Sequence, residues 1–225
     1  MNELLSYSSE LKHEAHQLVV SNHLLDLLKE YGCPLSGESF ELNVMTNRIL
    51  NFYVGNDEMD EESIFHMGYQ LTKRFNPYKM IFANEKDKYQ WSVYMIQKGE
   101  EWKLDISVLP ENIVKDKVEK QELLKSLLTE KKRECILFFK QQSGYNRYYT
   151  SDHVYKAVLE DGIHDDMSFF MWLQRQKKVN QTNVKKSRLG SFYAFTDLFT
   201  GKAAFSIQIC FSMLPIVPIN KSAVT

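Results

Sequence analysis

Paired cysteines are missing from this chain: Cys33, Cys135 and Cys210 are odd in number, widely spaced and without a Cys-x-x-Cys step. A disulfide framework or a zinc site would need such pairs, so neither is expected, and a reducing cytoplasm is the expected home. A surplus of one charge is missing too. With 28 Lys and Arg against 29 Asp and Glu, and a pI near 6.6, there is no basic field to hold a phosphate backbone. Nucleic acid is therefore not an expected partner, whereas small molecules and proteins are. The first ten residues lack a basic stretch followed by an apolar core, so no secretory signal is expected. What is present is an ordinary globular composition, 44% hydrophobic and 25% charged over 225 residues. That is enough for one sizeable domain or two small ones.

The most informative stretch runs from Leu35 to Val54. Gly37 turns a strand end into a short helix, where the absence of a Cβ lets backbone N–H groups approach an anion. A second strand follows, with Leu50, Phe52 and Val54 on one face and Ile49, Asn51 and Tyr53 on the other. Farther on, Gln90 to Gln97 and Glu101 to Leu109 are rich in aromatic and β-branched residues around Lys98-Gly99-Glu100, and read as a hairpin. Its second strand places Trp102, Leu104, Ile106 and Val108 on one face and Lys103, Asp105 and Ser107 on the other.

This order of parts resembles the nucleotidyltransferase superfamily whose catalytic domain is like that of DNA polymerase beta. That family carries a Gly-Gly or Gly-Ser pair at a helix start, then a strand with two acidic residues one apart, then a third acidic residue on a later strand. Gly37 stands where the signature begins, Ile49 and Asn51 fall at the acidic pair, and Asp105 fits the third position. Arg48 and Phe52-Tyr53 beside the pair look like a bacterial branch acting on small molecules. The words Tyr145-Asn146-Arg147 and Asp152 to Gly162 look like the helical C-terminal half of that branch, so the likeness covers roughly residues 9–178.

The resemblance implies an α+β fold: a nucleotidyltransferase-like mixed sheet with flanking helices, followed by a helical C-terminal lobe. It also implies an ancestral transfer of a nucleoside monophosphate from a nucleoside triphosphate to a small-molecule hydroxyl. On this reading Gly37, Ser39 and Arg48 are the cofactor-binding positions, Asp105 is the base or metal ligand, and Asn51 is a weak ligand beside Ile49. All three strand positions are expected to face one cleft. Magnesium takes oxygen ligands, usually one or two carboxylates with substrate phosphates. Isoleucine offers no oxygen and asparagine a neutral one, while Glu38 adds negative charge where the family has a small residue. The expected function is thus a weakened or inactive family member that binds a nucleotide, a metabolite or a protein partner. An active enzyme using Mg2+ and NTP is one alternative, and a membrane-associated interaction protein is the other.

Periodicity supplies the rest. A helix is expected from Ser9 to Tyr31, with Leu11, Ala15, Leu18, Val19, Leu25 and Leu28 as its stripe and Gly32 as its end. A second is expected from Glu61 to Phe75, then a short strand from Tyr78 to Ala83. A long helix from Asn112 to Gln142 would bury Ile113, Val118, Leu123, Leu127, Cys135, Ile136 and Phe139, with Glu130 to Glu134 as a solvated middle. Shorter helices run to Gly162 and to Lys177. His13 with His16, the acidic run from Asp57 to Glu62, and His164-Asp165-Asp166 each read as surface or helix-capping residues rather than metal ligands. The expected domains are 1–110, 111–180 and a tail, 181–225. That tail has five basic residues against Asp197, and Ala203 to Ile219 is uncharged. Its expected roles, in order, are a loose or sheet-pairing appendage, a peripheral membrane contact and, last, a membrane span weakened by Pro215 and Pro218.

Overall fold

In a computed structural model of the chain the described residues are 3–85, 88–176 and, as backbone alone, 205–210. The expectations for the rest of the tail lie outside these residues.

The chain opens with α1 (Glu3–Ser21) and α2 (Leu24–Lys29), where one continuous helix to Tyr31 was expected. The break is local chemistry. Asn22 turns its side-chain amide back to Leu18 O at 2.8 Å, His23 takes a left-handed φ of 47°, and Arg74 donates to the carbonyls of Asn22 and His23. The bend lets Leu24, Leu27 and Leu28 all reach the core, while Leu25, expected inside, is exposed.

Next come β1 (Cys33–Ser36), the single turn α3 (Glu38–Glu41), β2 (Ile49–Gly55) and α4 (Glu61–Phe75). Asp60 caps α4 by accepting from Ser63 N at 2.7 Å. Strands β3 (Lys79–Glu85), β4 (Lys88–Gln97) and β5 (Glu100–Leu109) complete the meander. Lys98 and Gly99, both at positive φ, make the two-residue β4–β5 turn, a geometry that matches strand twist. Phe205–Cys210 forms β6 and pairs antiparallel with β3, in line with a sheet-pairing tail.

The mixed sheet has the order β1-β2-β5-β4-β3-β6, with β2 and β5 parallel and every other pair antiparallel. Its core face carries Leu50, Phe52 and Val54 from β2 with Trp102, Leu104, Ile106 and Val108 from β5, all buried. Against it α4 sets Ile64, Met67, Leu71 and Phe75. Each such burial contributes about 1.5–3 kcal/mol.

The helical part lies beyond Pro110: α5 (Glu111–Leu127), α6 (Glu130–Gln141), α7 (Ser151–Tyr155) running into a π-helical turn (Lys156–Glu160), and α8 over 166–176. The single long helix expected here is two. Leu128 is extended and Thr129 caps α6, accepting from Lys132 N at 3.3 Å, so Glu130 to Glu134 begins a helix rather than bridging one. Ile113, Val118 and Leu123 recur at five-residue steps, which do not keep to one face of a helix. They are 40%, 41% and 53% exposed, and α5 buries Val114, Gln121 and Leu124 instead. A second hydrophobic cluster centres on Ile136, Leu137, Phe139, Val154, Tyr155 and Phe169, but it takes in Leu5, Leu42 and Val44 from the first 110 residues. Packing thus crosses the expected boundary at 110. Among the described residues, no helix is long and apolar enough to cross a membrane.

The tightest joint in the first cluster is between α4 and β4. Trp91 donates its indole N–H to Ile64 O at 2.9 Å, and a Cβ on Gly68 would stand 2.5 Å from Trp91 Cζ2. Overpacking of this kind costs about 1–3 kcal/mol. Alanine's better helix propensity returns up to about 1 kcal/mol of this, so urea unfolding of Gly68→Ala should show a net loss of up to about 2 kcal/mol at unchanged m-value; a gain of about 1 kcal/mol would mean the joint is slack.

Candidate functional site

The face of β2 opposite the core is not buried by a helix along its whole length. Ile49, Asn51 and Tyr53 form the floor of a cavity of about 270 Å³ between the sheet and the helical part. One wall comes from Glu38 and Ser39 at the start of α3, and the other from Lys117 of α5, Lys140 of α6, and Tyr145, Ser151, Asp152 and Tyr155 around α7.

Register places the expected site residues. In the parallel pair Asn51 stands opposite Asp105 and Ile49 opposite Lys103, so all four share the face away from the core. Only Ile49 and Asn51 line the cavity. Asp105, 14% exposed, leans toward β4: its carboxylate accepts from Ser92 Oγ and pairs with Lys103 Nζ at 2.8 Å. Gly37 donates its N–H to Asn51 O at 2.8 Å, and a Cβ there would come within 3.0 Å of Asn51 Cβ. Glycine is what lets α3 start so close to β2. Arg48 does not line the cavity; its guanidinium is held by Glu14 at 3.0 Å and Glu100 at 3.3 Å. Ser39 does, and its hydroxyl is the hub of a buried network.

Lys140 drives that network. Its Nζ donates to Ser39 Oγ at 2.8 Å and Val44 O at 2.7 Å, and the Ser39 hydroxyl shares a 3.2 Å hydrogen bond with Tyr155 OH. The loop that presents Val44 O is fixed by Asn43 at φ 55°, whose own carbonyl accepts from Ser8 Oγ of α1. Tyr145 OH and Ser151 Oγ, 2.6 Å apart, close the far side. Burial lowers the Lys140 ammonium to about 7, partly opposed by the charge of Glu38. Burial likewise pushes the Tyr53 phenol up to about 12, helped by Glu38, Asp152 and Asp105, and raises Tyr155 and Tyr145.

Lys140 had no sequence motif to announce it. The usable signal was phase: it lies one turn after Ile136 and beside Phe139, inside the apolar stripe of α6, where a lysine is rarely tolerated without a partner. Gln121, buried in α5 and donating to Ser36 O at 2.9 Å, is a second polar residue on an apolar stripe.

Among the described residues no group of three or more His, Cys, Asp or Glu is placed to hold a metal ion. Asp165 accepts from Ser168 N, a capping role. Comparison of the chain with protein-family models, with curated proteins and with solved structures finds no match.

Burial of Lys140 makes stability depend on pH. The folded chain releases this proton near 7 and the unfolded chain near 10.5, so from 7 to 10.5 the unfolded state binds more protons and stability rises with pH. Urea titrations should show a gain on the order of 2–3 kcal/mol between pH 7 and 9. Lys140→Met should flatten that slope; an equal slope in both proteins would place the ammonium in water.

Proposed function

We propose that this protein is a nucleotidyltransferase-like binding protein, which takes a nucleotide or a phosphate-bearing small molecule in the cavity between sheet and helices and does not turn it over. The observation that carries this reading is the β2–β5 register beside Gly37. Asn51 and Asp105 stand side by side on the cavity face of two parallel strands, next to a glycine turn and Ser39, which is the arrangement the family resemblance leads one to expect. The helical lobe supplies the facing wall with Lys117, Lys140 and a set of hydroxyls.

The donor set does not fit magnesium. At the strand positions Ile49 has no ligand atom, Asn51 has a neutral oxygen and Asp105 already carries the Lys103 ammonium, and of the two carboxylates that line the cavity Asp152 is held by Lys120, which leaves Glu38 alone. No chemical step is therefore assigned to a metal here. Bound metal is worth several kcal/mol to a phosphoryl transition state, so its loss lowers a nucleotidyl-transfer rate by a thousandfold or more, on the order of 1.4 kcal/mol per decade. Recognition without turnover is what remains. At about 270 Å³ the cavity is just below the usual range for drug-sized ligands, about 300–1,000 Å³. It suits the phosphate and sugar of a nucleotide, with the base outside.

Calorimetric titration of the full chain with ATP and with AMP, in chelator and in excess magnesium, tests the proposal. Binding of at least one of them with a Kd unchanged by magnesium is expected. Affinity that appears only with magnesium would return the protein to the enzymes, and no binding of either would remove the nucleotide reading.

A further inference from the structure

Lys140 is the one charged side chain among the described residues that is buried, at 5% exposure, and it takes part in none of their ion pairs. Its contacts are a serine hydroxyl and a backbone carbonyl, both neutral. The two protons of the neutral amine match these two partners, whereas the ammonium brings a third that has none. A buried charge of this kind is costly unless an opposite charge meets it.

The surrounding elements bring none into contact with it. Glu38 of α3 acts on Lys140 through space without contact. Asp152 of α7 is held by Lys120 of α5 at 2.6 Å, and His153 of α7 is turned to Thr150 and Trp172. Lys117 of α5 lies over the Tyr53 ring of β2 at 4.3 Å. From α1, packed on α6, Lys12 donates to Glu41 O. Tyr145 and Tyr155 offer ring faces to the ammonium at 5.7 and 5.8 Å, and both phenols stay protonated. A counter-charge in contact with the ammonium form would therefore come from the cavity, which Lys140 lines together with Lys117 and with Glu38, whose own charge opposes an anion there.

We propose that the cavity takes a phosphate-monoester dianion together with a proton that goes onto the Lys140 amine, so that pH rather than magnesium sets its occupancy. This deepens the binding function proposed above and rests on it. The balance is simple: ligand dianion and neutral amine enter, one proton is drawn from solvent, and a phosphate–ammonium pair forms beside the Ser39 and Tyr155 hydroxyls. The second ionisation of a phosphate monoester lies near 6, so above pH 7 the ligand itself contributes little to the proton count. Affinity should fall by up to about tenfold per pH unit above 7, until the bound amine also loses its proton.

The experiment is isothermal titration of the full-length protein with AMP and with inorganic phosphate from pH 6 to 9, each in two buffers of different ionisation enthalpy. Uptake approaching one proton per ligand near pH 8 is expected, with a Kd that weakens as pH rises and ignores magnesium. Lys140→Arg, charged throughout, should bind with no proton uptake and a flat pH profile, and Lys140→Met should not bind; thermal melting checks that each folds. Wild-type binding without proton uptake, or with a Kd constant from pH 7 to 9, overturns the proton linkage and leaves the cavity's ligand reading standing. Absence of binding by both probes at every pH overturns the two together. Should either variant fail to fold, the wild-type pH series decides alone.

Discussion

The parallel pairing of β2 with β5 is the constraint on which the rest of the structure depends. Parallel neighbours cannot be joined by a tight turn, so the chain between them must cross over, and it does so through α4 and the β3–β4 strands. That crossover puts α4 on one face of the sheet and leaves the other face of β2 open to α5 and α7. Register then fixes the chemistry: a slip of one residue would send Asn51 and Asp105 into the core and bring Phe52 and Ile106 out. Burial of Leu50, Phe52, Val54, Leu104, Ile106 and Val108 on one side is therefore what holds the polar positions on the other.

Charge on that polar face is arranged in two tiers. The inner one, between β5 and β4, is closed: Asp105 is satisfied by Lys103 and Ser92 and has little left to offer a ligand. The outer one, in the cavity, is open. It holds Lys140 with two neutral hydrogen-bond partners, beside phenols that burial keeps protonated and with Lys117, Glu38 and Asp152 on the same walls. The proposed anion binding without a metal rests on this contrast between an inner carboxylate already neutralised by the protein and an outer lysine without a contacting carboxylate.

Much of this was legible in the sequence, and the reasons differ from place to place. Alternation holds over Ile49 to Val54 in β2 and Trp102 to Ile106 in β5, because one face packs on the core and the other is only partly covered, and so the face of Asn51 and Asp105 could be read directly. The span of α4 was equally plain from its stripe and from Asp60 and Asn76 at its ends. Helix breaks were not legible. At His23 and Leu128 neither glycine nor proline interrupts the pattern, and the breaks depend on partners distant in sequence or on a threonine cap, such as Arg74 reaching two carbonyls of the α1–α2 corner. Ile113, Val118 and Leu123 were placed inside although their five-residue steps drift around the helix, and the buried face runs through Val114, Gln121 and Leu124. Arg48 looked like a ligand-binding residue by its neighbours in sequence, but its partners, Glu14 and Glu100, are set by tertiary packing. Lys140 escaped for the same reason: its meaning comes from Ser39 and Val44, about a hundred residues earlier.

The central claim is that the backbone of a nucleotidyltransferase-like site is retained while its side chains no longer suit a metal. It is tested most directly by putting the carboxylates back. In Ile49→Asp, Asn51→Asp, Glu38→Ser, two anionic oxygen ligands are added to the cavity floor and the charge beside Ser39 is removed; without metal the new carboxylates repel each other and Asp105. Thermal melting of this variant and of wild type, each in chelator and in magnesium with ATP, is the measurement. The account predicts a variant less stable than wild type in chelator, gaining about 5–10 °C more than wild type from magnesium and ATP near a hundredfold excess over Kd. A variant that gains no more than wild type would contradict it, because strands in that register would then not be holding the geometry of such a site.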